Sequence, residues 1–600
     1  MTPRRRAARR SRSRVQAEAV SPRPDPPRAA SAEPLPQWRG LAPLVCVLVT
    51  VTVFWPVLGH QFLDWDDALN LVDNPEFRGL GWRNLRWMFT TTLAGHWIPV
   101  TWLSFGLDHR LWGMNPLGYH LTNVLLHTAA AVVFYLVGLR LLRAATGAGE
   151  GALRLGALAA ALVFAIHPLR VESVAWATER RDVLSGLWFL LAILLYLKAA
   201  GPDGAPRRWW LAGSLVCYGL AAMSKAIVMT LPVVLIVLDV YPLGRLPTRW
   251  RELTARATRS VWAEKIPYAA VGLATAVIAN HAVRAYGDMI ASLPLENRVA
   301  VALYGLAFYV WKTAIPVLIS PMYQMSSHLD PWDGRMLASA AGVIALSAVL
   351  VWLRRRWPAG LAVWICYVVL VAPVSGIIQS GPQLVAARYS YLSCLGLALL
   401  VGGAVCRLAP LAAVRGPSRR WARSGLAVVV GGTVALGALS WRQTWIWRDS
   451  ETLWSYAVSM EPASPLAHGN LAFAYLSQGR LPEAEREIRI AVRLAPEWEL
   501  GQQNLAVVLA RQGRFAEAGE ARAQLGYLLM KHGKYDAAVA LGEKEVGARP
   551  GDAAAHNHLG VALLLRGDVG PAIEHFEQAL RLDPGHEKAR RNLAAARQRR

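Results

Sequence analysis

Three carboxylates lie close together directly after the first apolar run of the chain. Asp64, Asp66 and Asp67 occur in the stretch FLDWDDALNLVDNP, just beyond the point where residues 41–58 would leave a membrane. A carboxylate at that depth is costly when it faces lipid, so these side chains should face water or a cavity. Neighbouring carboxylates also raise one another's proton affinity, which suits a general base or a metal ligand. A solvated turn would explain the same spacing equally well.

Histidine and cysteine do not add a metal site to this chemistry. Four histidines near predicted helix ends lack the paired spacing of zinc ligands, and we interpret them as core or interfacial residues: His96, His120, His127 and His167. The five cysteines all fall inside apolar stretches, which argues against a disulfide framework. We therefore assign no metal-ligating residue.

The elements that would position the acidic loop are apolar runs of membrane-spanning length. The chain is 54% hydrophobic and only 17% charged, which is too apolar for an ordinary soluble enzyme of 600 residues. After 41–58, further runs occur at about 119–142, 152–169, 183–199, 209–225, 226–243, 266–283, 336–353, 359–378, 389–407 and 424–440. The sequence therefore predicts an all-α, polytopic bundle of about eleven spans.

The net charge of +24 comes largely from arginine clusters that border these runs, where basic residues orient membrane helices. No base-reading module accompanies them, so we expect no nucleic-acid partner. Residues 1–39, rich in Arg, Pro and Ala, predict a disordered cytosolic tail, which places the outer loop 59–118 across the membrane. If the run 299–319 crossed the membrane, Arg354 to Arg356 would lie on the outer side, against the charge pattern. We therefore expect part of 281–320 to be re-entrant or interfacial, and the carboxy terminus to lie outside.

From residue 445 to 600 the composition changes, and an internal repeat appears. Asn470-Leu471-Ala472 recurs 34 residues later as Asn504-Leu505-Ala506, which is the tetratricopeptide period. Small residues at fixed positions let paired helices approach, and large ones fill the gap between them. The interval from Gly513 to Gly533 is only 20 residues, which predicts one helix shared between units. We expect three to four units, preceded by a half-repeat at 447–462, following a membrane domain at 40–444.

The order of four motifs resembles a known family of membrane enzymes. FLDWDDALNLVDNP is followed by GHWIPVTWLSFGLDHRLWGMNPLGYH, then FAIHPLRVESVAWATERRD, then AARYSYLSCLG, and finally the tetratricopeptide units. This order is similar to that of the transmembrane and tetratricopeptide repeat-containing O-mannosyltransferases, over roughly residues 41 to 600. The resemblance implies a GT-C glycosyltransferase that takes sugar from a polyprenyl phosphate at the outer face. It also implies that Asp66 or Asp67 occupies the catalytic acidic position.

In such a transfer a carboxylate accepts the proton of the acceptor hydroxyl, and the leaving phosphate needs a cationic partner. The candidates for this partner are Arg180, Arg181, Lys225 and Arg388, each of which could instead be a topology or snorkelling charge. Glu172, Glu179 and Asp182 add carboxylates to the same loop, for which structural ion pairing is our first interpretation. They could also help to hold a divalent cation, although no cofactor is certain beyond the lipid-linked sugar.

The sequence thus favours a multi-pass transferase in a bacterial inner membrane. It would move a hexose, mannose by resemblance, onto a protein hydroxyl, with extracytoplasmic repeats recruiting the acceptor protein or peptide through their groove. The rival hypothesis is a non-catalytic membrane scaffold, because tetratricopeptide grooves bind peptides without any enzyme. A third hypothesis keeps the enzyme and makes the acceptor a glycan or lipid.

Overall fold

Each of the eleven apolar runs carries a helix in the computed structural model, which describes residues 40–201, 207–286, 293–325, 329–377 and 383–599. The disordered tail predicted for residues 1–39 lies outside the described residues. Among those described, the strands are two short ones, β1 (Tyr323–Gln324) and β2 (Gln383–Val385), which pair antiparallel. The all-α fold class is therefore confirmed.

The membrane part contains sixteen described α-helices of very different lengths. They are α1 Leu41–Phe54, α2 Trp82–Thr90, α3 Pro99–Trp112, α4 Pro116–Ala145, α5 Glu150–Ala165, α6 Val171–Ala175, α7 Arg180–Ala200, α8 Arg207–Ala222, α9 Leu231–Val240, α10 Arg259–Tyr286, α11 Leu295–Ala314, α12 Gly334–Trp352, α13 Pro358–Val371, α14 Ser390–Ser393, α15 Leu395–Ala413 and α16 Ser418–Thr444. Several of these are too short to cross a bilayer, which needs about 20 helical residues.

Within the described ranges, seven helical segments are long and apolar enough to span a membrane. They are Leu41–Gly59, Pro116–Ala145, Ala177–Ala200, Arg256–Arg284, Gly334–Arg355, Leu395–Ala413 and Ser418–Trp447. An eighth is a pair of helices, Glu150–Ala165 and Pro168–Ala175, bent by 54°. Proline cannot continue the hydrogen bonding of a helix, which accounts for a break before Pro168. The count of about eleven spans is therefore not confirmed, because hydropathy does not distinguish a full span from a shorter apolar helix.

The segment 281–320 falls only partly within the described residues. Its described portion includes α11, a continuous helix of 20 residues that is not among the seven candidate spans. A re-entrant or interfacial path for this segment therefore stays a prediction.

Helices α5 and α15 approach each other through a pair of glycines. A Cβ atom added to Gly156 would lie 2.5 Å from the carbonyl oxygen of Gly402, and a Cβ atom on Gly402 would lie 2.5 Å from that of Gly156. Small residues at such crossings let helix backbones pack closely inside a membrane. This crossing fixes the distance between the two helices in the middle of the bundle.

Nine helices form the carboxy-terminal part. They are α17 Ser450–Met460, α18 Pro465–Ser477, α19 Leu481–Leu494, α20 Glu499–Arg511, α21 Phe515–Lys531, α22 Tyr535–Ala548, α23 Ala553–Arg566, α24 Val569–Leu582 and α25 Glu587–Gln598. One helix, α21, lies between Gly513 and Gly533 and packs against both α20 and α22, which is the arrangement that a shared helix would have. Helix α17 precedes the first full hairpin, as the half-repeat predicts. Gly560 lies directly against the ring of Phe576, which is the small-to-large contact that the repeat pattern requires.

Replacing Gly402 with valine should destabilise the membrane bundle, because the new side chain would collide with the backbone of α5. We expect a loss of about 1–3 kcal/mol in unfolding free energy, typical of overpacking. The measurement is thermal unfolding of the purified full-length protein in detergent. The matched control is Gly431→Val on α16, where an added Cβ meets no atom within 4 Å. Equal melting temperatures for the two variants would contradict the proposed tight crossing.

Candidate active site

Asp67 is buried and anchors the acidic loop through hydrogen bonds. Its side chain is fully buried, and its carboxylate accepts hydrogen bonds from the Leu63 backbone N–H at 3.0 Å, the Thr178 backbone N–H at 2.8 Å and the Thr178 hydroxyl at 2.5 Å. Burial raises the pKa of Asp67 to about 6, against the lowering effect of these three hydrogen bonds. A general base must reach the proton that it removes. We therefore restrict the catalytic proposal to Asp66.

Asp66 occupies an accessible position on the same loop. Its side chain is 37% exposed, and its Oδ2 lies 3.8 Å from Nη2 of Arg181. Burial by the surrounding loops raises the pKa of Asp66, while the positive charge of Arg181 lowers it and the negative charge of Glu179 raises it. The side chain thus has the accessibility and the shifted proton affinity that a general base uses.

Glu179 holds three of the four predicted phosphate-binding residues together. Its carboxylate is fully buried and contacts Nη2 of Arg181 at 2.5 Å, Nζ of Lys225 at 3.1 Å and Nε of Arg388 at 3.3 Å. These residues come from α7, from the turn between α8 and α9, and from the segment after β2. The chain therefore builds a compact cationic cluster, consisting of Arg181, Lys225 and Arg388, next to Asp66.

Two further carboxylates balance this cationic cluster. Asp182 contacts Nζ of Lys225 at 2.6 Å, and Glu172 forms an ion pair with Arg388. Glu172, Glu179 and Asp182 each form ion pairs, as our first interpretation of the sequence expected. Within the described residues, no group of three His, Cys, Asp or Glu side chains is arranged to hold a metal ion. The divalent cation stays an untested prediction.

Arg180 lies outside the cationic cluster, although it is adjacent to Arg181 in sequence. It is fully buried, forms an ion pair with Asp108 at 2.6 Å and donates to the Tyr119 carbonyl at 2.7 Å. Its guanidinium also lies 4.8 Å from the centre of the Phe105 ring. These contacts tie α7 to α3 and α4. The geometry therefore gives no support to the phosphate-binding role predicted for Arg180.

His96 is a neighbour of the cationic cluster that sequence reasoning did not select. It follows the turn Leu93–Gly95, and burial together with the charges of Arg181 and Lys225 lowers its pKa to about 3, so the ring is neutral. Its only signal in the sequence is its place in the motif GHWIP. His120, His127 and His167 are buried, as a core role predicts.

The first tetratricopeptide helices contact the acidic loop directly. The Asp64 backbone N–H donates to the Ser450 hydroxyl at 2.7 Å, and the Ser477 hydroxyl donates to the Asp64 carboxylate at 3.1 Å. The Trp65 ring stacks on Trp176 at 4.3 Å and meets Trp454 of α17 edge-on at 4.8 Å. The repeats and Asp66 thus lie at the same end of the bundle.

Sequence comparison identifies relatives of both parts of the chain. A family model described as Tetratricopeptide repeat matches residues 447–497 and 523–587. Protein O-mannosyl-transferase TMTC2 of Mus musculus is 38% identical over 150 residues, which are 25% of this chain and 17% of that protein. Protein O-mannosyl-transferase Tmtc1 of Drosophila melanogaster is 26% identical over 489 residues, which are 67% of this chain and 54% of that protein. The chain is thus similar in sequence to protein O-mannosyl-transferases.

The matches span 17% and 54% of the lengths of the two animal proteins, so much of each lies outside the match. Among solved structures, ArnT from Cupriavidus metallidurans bound to undecaprenyl phosphate is 16% identical and aligns with 78% of this chain and 77% of its own. The TM-score of that alignment is 0.31.

The Asp67→Asn substitution should loosen the acidic loop. The asparagine side chain would place its NH2 group against the backbone N–H of Leu63 or of Thr178, both of which now donate to the carboxylate. That backbone N–H would then lack an acceptor. We expect a loss of about 1–3 kcal/mol in unfolding free energy, the range for an unsatisfied buried group. Thermal unfolding and limited proteolysis of the loop measure it. Asp66→Asn is the matched control, and the anchoring role is excluded if Asp67→Asn is as stable as that variant.

Proposed function

We propose that this protein is a membrane glycosyltransferase that moves a hexose from a polyprenyl-phosphate donor to a hydroxyl group of a protein. We name mannose as the hexose, because the related proteins are protein O-mannosyl-transferases. The observation that carries the proposal is the accessible carboxylate of Asp66 beside three clustered cations, Arg181, Lys225 and Arg388. Transfer from a sugar phosphate requires a base beside a phosphate-binding group, and Asp66 lies 3.8 Å from Arg181 of the cationic cluster.

The proposed reaction is a single displacement. Asp66 accepts the proton of the acceptor hydroxyl, whose oxygen forms a bond to the anomeric carbon of the sugar. The bond between that carbon and the phosphate oxygen breaks, with inversion, through an oxocarbenium-like state. The departing polyprenyl phosphate keeps the bonding electrons and is stabilised by the cationic cluster.

Unused hydrogen-bond donors in the cationic cluster support this role. The Lys225 ammonium has three N–H donors and contacts two carboxylates, Glu179 and Asp182. One of its donors is therefore left for a phosphate oxygen. Arg181 uses Nε and one Nη on Glu179, so its other donors remain for a phosphate oxygen. The paired carboxylates keep these cations in place before the donor binds, which lowers the cost of reorganisation during the reaction.

The tetratricopeptide repeats supply the proposed route for a protein acceptor. Stacked helical hairpins present an extended groove that suits a peptide segment. The arginine distribution supports an extracytoplasmic position for the end of the bundle that carries Asp66 and the repeats, in a bacterial inner membrane. A lipid-linked sugar and a protein client would then meet at the same end of the bundle.

Asp66→Asn should abolish most transfer without unfolding the protein. Loss of a general base typically costs about 10²–10⁴-fold in rate, so we expect kcat to fall by at least about 10²-fold. The assay measures radiolabelled sugar passing from polyprenyl phosphate to protein in reconstituted vesicles. The matched control is Asp73→Asn, which removes the same charge from an exposed position of the same loop. Transfer by Asp66→Asn at the parent rate would refute the catalytic assignment and favour the scaffold hypothesis.

The pH dependence of transfer should report the altered pKa of Asp66. The base acts when ionised, so kcat/KM should fall as the pH drops through that pKa. Because burial raises the pKa, we expect the acidic limb above the usual aspartate value of about 4. In Arg181→Gln the residual activity should show this limb at still higher pH, because Arg181 lowers the pKa of Asp66. An acidic limb that does not move in Arg181→Gln would contradict the assignment.

A further inference from the structure

Arg170 is a buried cation that the proposed reaction does not use. Its side chain is only 2% exposed, and its Nε and Nη1 atoms have no hydrogen-bond partner. Nη2 donates to the Ser390 hydroxyl at 2.8 Å, and the thiol of Cys394 lies beside the guanidinium. Neither neighbour is a carboxylate. Across the described residues, no carboxylate lies within ion-pair distance of Arg170.

A buried charge without a counter-ion is unfavourable in an apolar environment. The other buried arginines near the site each have a carboxylate partner: Arg180 pairs with Asp108, and Arg181 with Glu179. Asp182 acts on Arg170 only at longer range, and its oxygens already contact Lys225 and Ser173. Arg170 therefore has no carboxylate counter-ion among the described residues, and its guanidinium lies 5.8 Å and 5.7 Å from the centres of the Phe164 and Tyr391 rings.

Arg170 lines a cavity of about 380 Å³ between α5, α11, α15 and α16. The remaining lining is almost entirely apolar, with residues such as Phe164, Leu397, Val429 and Leu436. His167 also lines it, but its Nδ1 accepts from the Leu169 backbone N–H and its Nε2 donates to the Thr313 carbonyl, so the ring is neutral. Arg170 is the only charged residue among the described lining residues.

The cavity borders the side of the bundle that would contact lipid. Only 11% of the apolar window of α16 is buried, and Val428, which lines the cavity, is 74% exposed. A hydrocarbon chain could therefore enter from the bilayer alongside α16, while a charged headgroup reaches Arg170. An anion with an attached apolar chain would pair with Arg170 and fill the apolar part of the cavity.

We infer that this cavity binds a monoanionic phospholipid whose phosphate pairs with Arg170 and whose acyl chain lies along α16. A phosphodiester carries one negative charge, which matches the single positive charge of Arg170. A phosphate monoester, such as a polyprenyl phosphate, carries nearly two and would leave one uncompensated in apolar surroundings. None of Arg181, Lys225 and Arg388 lines this cavity, so the lipid site uses residues other than those of the proposed donor site.

The test uses the purified, delipidated full-length protein in detergent. Phosphatidylglycerol is added, and bound lipid is counted by native mass spectrometry, with phosphatidylcholine and undecaprenyl phosphate in parallel. We expect one phosphatidylglycerol per chain at concentrations where phosphatidylcholine is not retained. Gly432→Leu should fill the cavity, because an added Cβ there meets no atom within 4 Å. The affinity of Gly432→Leu for phosphatidylglycerol, and that of Arg170→Gln, should fall by about tenfold or more.

The matched control is Gly431→Leu, which adds the same side chain one position earlier on α16, outside the cavity lining. It should retain phosphatidylglycerol as the parent does. Because Gly432→Leu leaves every charge unchanged, it remains informative if Arg170→Gln fails to fold. The inference is overturned if Gly432→Leu binds the lipid normally, if phosphatidylcholine binds equally well, or if undecaprenyl phosphate binds more tightly through Arg170.

Discussion

One buried carboxylate, that of Glu179, holds together the residues of the candidate active site. It contacts three cations that come from distant parts of the chain: Arg181, Lys225 and Arg388. Without it, three like charges would repel one another in a region shielded from water, where such repulsion is strong. With it, the ends of α7, α8 and the segment after β2 are held at one point beside Asp66.

The same electrostatic rule governs the other end of the bundle. There Asp239 contacts Arg245 at 2.9 Å, Lys265 at 2.5 Å and the Tyr196 hydroxyl at 2.7 Å, which joins α7, α9 and α10. Buried charges are tolerated when each finds a partner. The two ionic networks therefore hold the opposite ends of α7 and α9 in place. Apolar packing between membrane helices alone would position these ends less specifically.

Much of this architecture could be predicted from the sequence, because periodicity and charge placement are local signals. The 34-residue repeat and the single helix α21 between Gly513 and Gly533 were accessible in this way, whereas phosphate binding by Arg181, Lys225 and Arg388 stays a prediction. The orientation of a helix about its own axis was not accessible. Arg180 and Arg181 are neighbours, but successive side chains on a helix point about 100° apart. One consequently enters the cationic cluster, and the other pairs with Asp108. Asp66 and Asp67 differ in burial for a similar reason. Thr178, which is distant in sequence, donates to Asp67 and not to Asp66.

The contacts between the repeats and the membrane part bear directly on how an acceptor would be presented. Glu461 and Ser464, on either side of the turn between α17 and α18, both bond to Gln324 of β1, and Ser477 bonds to Asp64. The first hairpin is therefore attached to the bundle at two separated points, as well as through Trp454. A client bound in the groove of a firmly attached hairpin would be held at a fixed distance from Asp66. Proximity of this kind raises the effective concentration of an acceptor hydroxyl without any additional contact at the site of transfer.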